Sequence, residues 1–205
     1  MSASVARTFA CLLAPSLAAP LATAANLLVT PGFEDGLDGW STTGNAAIRT
    51  ANPPAFEGTN YVFGASTPLF SVSQTVDLIA GGVAVNDIDD GRLQVRFGGY
   101  QAGFSTQTDA GQITLRLFDA GGGLLSTVST PSFFSNNTWV EQLGVTPLLA
   151  GTRSFGFEFV GRRNAGSNND AYLDAAFVEV APVPRPAALP LFGLALAGLG
   201  LARRR

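Results

Sequence analysis

The chain contains no histidine and no lysine, and it has a single cysteine, Cys11. Without histidine there is no imidazole to serve a serine triad of the usual kind or to bind zinc. One cysteine cannot form a disulfide within the chain, and Cys11 falls in an N-terminal stretch that reads as a removable leader. The remainder therefore has no thiol chemistry at all. No amphipathic segment of helical period runs beyond about two turns, which argues against a helical domain. Charged residues make up only 13% of the chain, and they are unevenly placed.

All fifteen acidic residues fall between Asn26 and Ala181, where only seven arginines accompany them: Arg49, Arg92, Arg96, Arg116, Arg153, Arg162 and Arg163. That segment carries a balance of −8, which the whole-chain value of −3 conceals, because the other five arginines sit at the two ends. A surface this acidic repels phosphate backbones, so no nucleic-acid partner is expected. Divalent cations and neutral or basic ligands suit it better.

The ends read as addresses. Residues 1–25 carry one positive charge at Arg7, an apolar stretch from Phe9 to Leu21, and then Ala22, Thr23 and Ala24, the small-x-small pattern of a signal-peptidase site. At the other end, Val183, Pro184, Arg185 and Pro186 precede an apolar run of 16 residues, Ala187 to Ala202, and a terminal cluster of Arg203, Arg204 and Arg205. As a helix the run would reach about 24 Å, against a hydrocarbon core of about 30 Å, so it spans if the bilayer thins or the arginines snorkel. The arginines would stay on the cytoplasmic side. Residues 182–205 resemble the PEP-CTERM sorting signal of Gram-negative bacteria, with Arg185 standing where that family usually has Glu. The resemblance implies an exosortase or related sorting machinery as partner, retention at the inner membrane through the C-terminal helix, and a final place in the cell envelope, on the surface or, after tail cleavage, outside the cell.

Residues 26–181 have the length of one domain and read as all-β. Apolar residues alternate at period two in Leu93, Val95 and Phe97, in Ile113, Leu115 and Leu117, in Phe155, Phe157 and Phe159, and in Ala176, Val178 and Val180. Further strands are expected at Asn26–Val29, Ala46–Arg49, Asn60–Phe63, Phe70–Val76, Leu124–Val128 and Trp139–Val145. Asp119 to Gly123 reads as a hairpin turn, and Asp87 to Asp90 as a solvated acidic loop. About ten short strands in one domain predict a two-sheet antiparallel β-sandwich.

Certain pieces make the sandwich more specific. Asn26 to Glu34, with Trp40 following, resembles the opening of the galactose-binding-like jelly rolls, a group that includes many carbohydrate-binding modules; Thr30 replaces the group's usual Asn. Glu57–Val62, Leu69–Val76, Gly151–Ser154 and Asn169–Asp174 resemble later pieces of the same group, in order. The resemblance implies a structural calcium tying the first strand to the last, held by Glu34 and Asp174, with Glu57 and Asp170 as further ligand candidates. Calcium accepts six to eight oxygens, many of them carbonyls, so few acids can suffice. Asp174 shares strand parity with Ala176, Val178 and Val180 and is expected to point inward, where it needs a cation, Arg153 or backbone amides.

A sugar site needs an aromatic platform. Tyr100 and Phe104, in a glycine-rich loop expected from Gly98 to Thr108, are the preferred surface pair. Trp40 is a third candidate, and with Trp139 it serves either as platform or as a plug at the end of the sandwich. A glycan hydrolase needs only two carboxylates about 5–10 Å apart, which fifteen acids supply by chance. The sequence thus points to a non-catalytic exported protein associated with extracellular polysaccharide, with a purely structural surface protein as the alternative and a hydrolase behind both.

Overall fold

The computed structural model describes residues 24–184. Nearly all of the leader and most of the sorting tail, including Arg185, Pro186, Arg203, Arg204 and Arg205, lie outside the described residues. Among those described, no helix is long and apolar enough to cross a membrane.

Among the described residues, ten strands form two five-stranded antiparallel sheets. They are β1 (Ser41–Thr43), β2 (Ala47–Arg49), β3 (Tyr61–Phe63), β4 (Leu69–Asp77), β5 (Leu93–Ala102), β6 (Ala110–Phe118), β7 (Leu124–Ser129), β8 (Val140–Pro147), β9 (Ser154–Arg162) and β10 (Tyr172–Pro182). The first sheet has the order β1-β4-β9-β6-β7 and the second β2-β3-β10-β5-β8. The alternation read from the sequence is the reason for the layering. Phe70, Val72, Ile113, Leu115, Leu117, Phe155, Phe157 and Phe159 from the first sheet meet Val62, Val95, Phe97, Leu173, Ala176 and Val178 from the second in one buried core. Each of these side chains except the small Ala176 contributes about 1.5–3 kcal/mol by leaving water. Close packing is local too: a Cβ at Gly161 of β9 would collide with the ring of Phe70 on the neighbouring strand.

The structure departs from the sequence reading in several places. Asn26–Val29 is not a strand; it makes one bridge, Asn26 with Glu179, and its other backbone groups are met largely by side chains. Ser41–Thr43, with no apolar residue to mark it, is one. The acidic Asp87–Asp90 is not a loop but overlaps a short helix, α1 (Val85–Asp89), with Ile88 buried beneath it and Asp89 held by both guanidinium nitrogens of Arg153 at 3.0 and 2.9 Å. Another is a bulge in β10. The register shifts between Asp174 and Phe177, with Ala175 at φ 43°. The extra residue reverses parity: Ala176 and Val178 face the core, whereas Asp174 pairs with Tyr100 and emerges on the outer face of the second sheet. The expectation that Asp174 points inward with Ala176 was wrong for that reason.

Candidate functional site

The outer face of the second sheet carries the site. Because side chains of paired residues share a face, Tyr100 stands between Asp174 on β10 and Glu141 on β8, and Arg96 stands beside Glu179. The segment 50–57, between β2 and β3, is laid over this face and pinned to it. The Tyr61 hydroxyl lies 2.8 Å from the carbonyl of Ala51 and 3.1 Å from that of Pro53. Trp139 donates its indole N–H to the carbonyl of Pro54 at 2.8 Å. The amides of Phe56 and Glu57 donate to Asp174 Oδ2 at 2.8 and 3.1 Å.

The consequence is an aromatic pair. The ring of Phe56 lies on that of Tyr100, centroids 3.5 Å apart and planes at 12°. Phe56 is still 43% exposed. Beside the pair runs a concavity of about 420 Å³, lined by Phe56, Glu57, Arg96, Tyr100, Glu141 and Glu179 and walled by Pro31–Gly32 and Ala175–Phe177. Arg96 pairs with Glu179 at 2.7 Å and lies 5.7 Å over the ring of Phe177.

The residues singled out from the sequence fare differently. Tyr100 lines the groove, though on a strand rather than in a loop, since β5 continues to Ala102. Phe104 is half-buried outside the groove. Its ring lies 5.4 Å from the Arg49 guanidinium, which also sits 5.4 Å from Phe63 and 5.3 Å from Tyr172. Trp40 is only 8% exposed, stacked on Phe33 at 5.0 Å and edge-on to Phe157 at 5.8 Å, so it plugs the sandwich and offers no surface. Phe56, Arg96, Glu141 and Glu179 were not anticipated. The Arg96–Glu179 pair spans 83 positions, which no local spacing reveals. Phe56, an aromatic just after Pro53-Pro54 in a polar stretch, was the one findable signal.

The four acids expected around a calcium ion are divided. Glu34 is exposed, and its Oε1 accepts the amides of Thr59 and Asn60 at 2.9 and 2.8 Å, which hold its carboxyl below the usual range. Asp170 is buried against Arg49 at 2.9 Å and takes the Tyr172 hydroxyl at 2.8 Å. Glu57 and Asp174 do converge. A Cβ at Gly32 would lie 3.7 Å from Glu57 Oε1 and 3.9 Å from Asp174 Oδ1. Asp174 is fully buried, and burial pushes its pKa up to about 6, partly offset by the amides of Glu57, Ala175 and Phe56. Neither carboxylate has an arginine partner among the described residues. Two carboxylates that approach one another with no cationic side chain between them are oxygen donors of the kind a hard cation takes, although Asp174 already accepts the amides of Phe56, Glu57 and Ala175. Glu34 and Asp170 are committed elsewhere, and no cluster of three or more His, Cys, Asp or Glu that could hold a metal occurs among the described residues.

An open groove with a stacked aromatic pair, carboxylate acceptors and one arginine suits a flat, hydroxyl-rich molecule. Solved structures of similar fold include a carbohydrate-binding module and a phage tailspike domain. A "Family 16 Carbohydrate Binding Module-2" superposes with a TM-score of 0.53 at 17% identity, over 75% of this chain and 99% of that one. The CBM22-1 xylan-binding domain of a Paenibacillus barcinonensis protein gives 0.49 at 18% identity, over 80% and 99%. The enzymatically active domain of bacteriophage CBA120 tailspike protein 4 gives 0.55 at 12% identity; there the match covers 77% of this chain but only 21% of the tailspike. No protein-family profile and no curated protein matches the sequence.

Proposed function

We propose that this chain is an exported, non-catalytic surface protein, anchored in the envelope or processed by an exosortase, that binds extracellular polysaccharide in the groove beside Phe56 and Tyr100. The observation that carries the reading is the exposed Phe56 ring, braced by Tyr100 above a concavity lined with hydrogen-bonding side chains. A pyranose face stacks on such a ring, while Glu57, Glu141, Arg96 and Glu179 meet its hydroxyls. The likeness to a family 16 carbohydrate-binding module supports the fold part of the argument. The signal-peptide and sorting-tail patterns support the export part.

The test is binding of the full chain, in detergent, to the producing organism's own extracellular polysaccharide and to a panel of neutral glycans. Saturable binding that falls at least tenfold in Phe56→Ala supports the reading; equal binding by Phe56→Ala sinks it. We also propose that calcium sits between Asp174 and Glu57. Bound there, it would neutralise the two acids and brace the 31–34 turn and the 50–57 segment against β10. A calcium-dependent rise in melting temperature, absent from Asp174→Ala, is the expected result; no rise in the parent protein removes the ion.

A further inference from the structure

The charge within the groove narrows its ligand, on the reading that the groove is a carbohydrate site. Among the described residues Arg96 is the one cation lining it, and Glu179 already neutralises it at 2.7 Å. Glu57 and Glu141 line the same groove, and neither side chain has a cationic partner among the described residues. Both line the groove that the aromatic pair borders. Glu141 is the direct cross-strand neighbour of Tyr100, so the two side chains leave the sheet together on one face. Glu57 follows Phe56, whose ring lies on Tyr100. With no calcium bound, two uncompensated negative charges therefore flank the stacking surface, on a domain whose own balance is −8.

Neutral hydroxyls need acceptors but not net charge. A uronate-bearing polymer would bring like charge against Glu57 and Glu141. A free amino sugar supplies what the groove lacks: a pyranose face for Phe56 and an ammonium for the two carboxylates, joined by charge-assisted hydrogen bonds. We propose that the groove takes a cationic glycan, a polysaccharide containing de-N-acetylated hexosamine, with its ring on Phe56 and its ammonium between Glu57 and Glu141. A basic peptide could satisfy the carboxylates as well, but it has no pyranose face to set on the Phe56–Tyr100 pair.

The experiment is calorimetric titration of the full chain in detergent and EDTA, at low ionic strength and a pH that keeps the amine protonated. The probes are a β-1,4-linked glucosamine hexasaccharide, its fully N-acetylated counterpart, an oligogalacturonate and an oligolysine of equal charge. The free amine is expected to bind about three- to tenfold more tightly than the N-acetylated form, with the advantage shrinking as salt is added. The oligogalacturonate should bind more weakly than either. The amine-to-N-acetyl ratio should fall to near one in Glu57→Gln/Glu141→Gln; the single exposed variant Glu141→Gln gives the same readout, reduced, if the double variant fails to fold. Equal affinity for the two hexasaccharides, or preference for the uronate, overturns the inference and leaves the carbohydrate reading intact. Oligolysine binding as well as the glucosamine hexamer overturns it in favour of a general polycation surface. Binding of no saccharide overturns the inference, while binding of the organism's own polysaccharide, with and without Phe56→Ala, decides the carbohydrate reading.

Discussion

The side chain of Gln74 hydrogen-bonds both backbone groups of Val29, accepting from its N–H at 3.0 Å and donating to its carbonyl at 2.6 Å. A primary amide offers the same donor and acceptor as a peptide group, so Gln74 stands in for a neighbouring strand. Asn26 does the same at the other side of the segment, where its side chain reaches the carbonyl of Ala176 at 2.8 Å and the amide of Val178 at 3.1 Å. The first residues of the domain thus tie β4 to β10, meeting β10 only through the single Asn26–Glu179 bridge.

Gln74→Leu keeps the volume but leaves both groups of Val29 without their partners. Equilibrium denaturation should show a loss of about 1–3 kcal/mol. A loss below a few tenths would mean that water replaces the amide at no cost.

Trp40→Ala and Phe56→Ala should separate stability from binding. Trp40 is buried between Phe33 and Phe157, and its removal should cost about 3–5 kcal/mol. Phe56 is 43% exposed, so its loss should leave the melting temperature nearly unchanged while abolishing glycan retention. Affinity electrophoresis beside a thermal melt checks both.

Asp174 makes stability depend on pH in an unusual direction. Its pKa is raised from 3.8 to about 6, so the folded state holds a proton that the unfolded chain has already released. The contribution is full below the unfolded value and is lost as pH rises through about 6. Measured in EDTA, this one group should make the domain about 1–2 kcal/mol less stable at pH 8 than at pH 5, and Asp174→Ala should remove that part of the slope.

Glu34 works in the opposite sense. Its carboxyl is lowered by the amides of Thr59 and Asn60, so its contribution is present above 4.5 and is lost as pH falls through the folded value. In an NMR titration the Thr59 and Asn60 amide signals should move upfield together in acid. In Glu34→Gln they should already be displaced at neutral pH.

How far the sequence could be read depends on the physical kind of signal. Phe155, Phe157 and Phe159 announce a strand because burial of one face repeats every second residue, and all three are fully buried. Ser41–Thr43 has no apolar residue to alternate, and five residues of α1 are too few to show a helical period. The site was harder. Tyr100 could be singled out, but what makes it a platform is Phe56, brought over it by contacts of its segment to Tyr61 on the next strand and to Trp139 and Asp174 far along the chain. The bulge at Ala175 left no trace, because an alanine in the left-handed region carries none of the marks that glycine or asparagine would.

That bulge sits on the strand by which the chain leaves the domain. From Glu179 on the groove floor to Pro184 is five residues, with β5 alongside and Val183 donating to the carbonyl of Arg92 at 2.8 Å. Tension between a polymer held in the groove and an attachment beyond Pro184 would run down this short cord. The phenylalanine core would lie outside the line of force, and the hydrogen bonds between β5 and β10 would carry the load in shear.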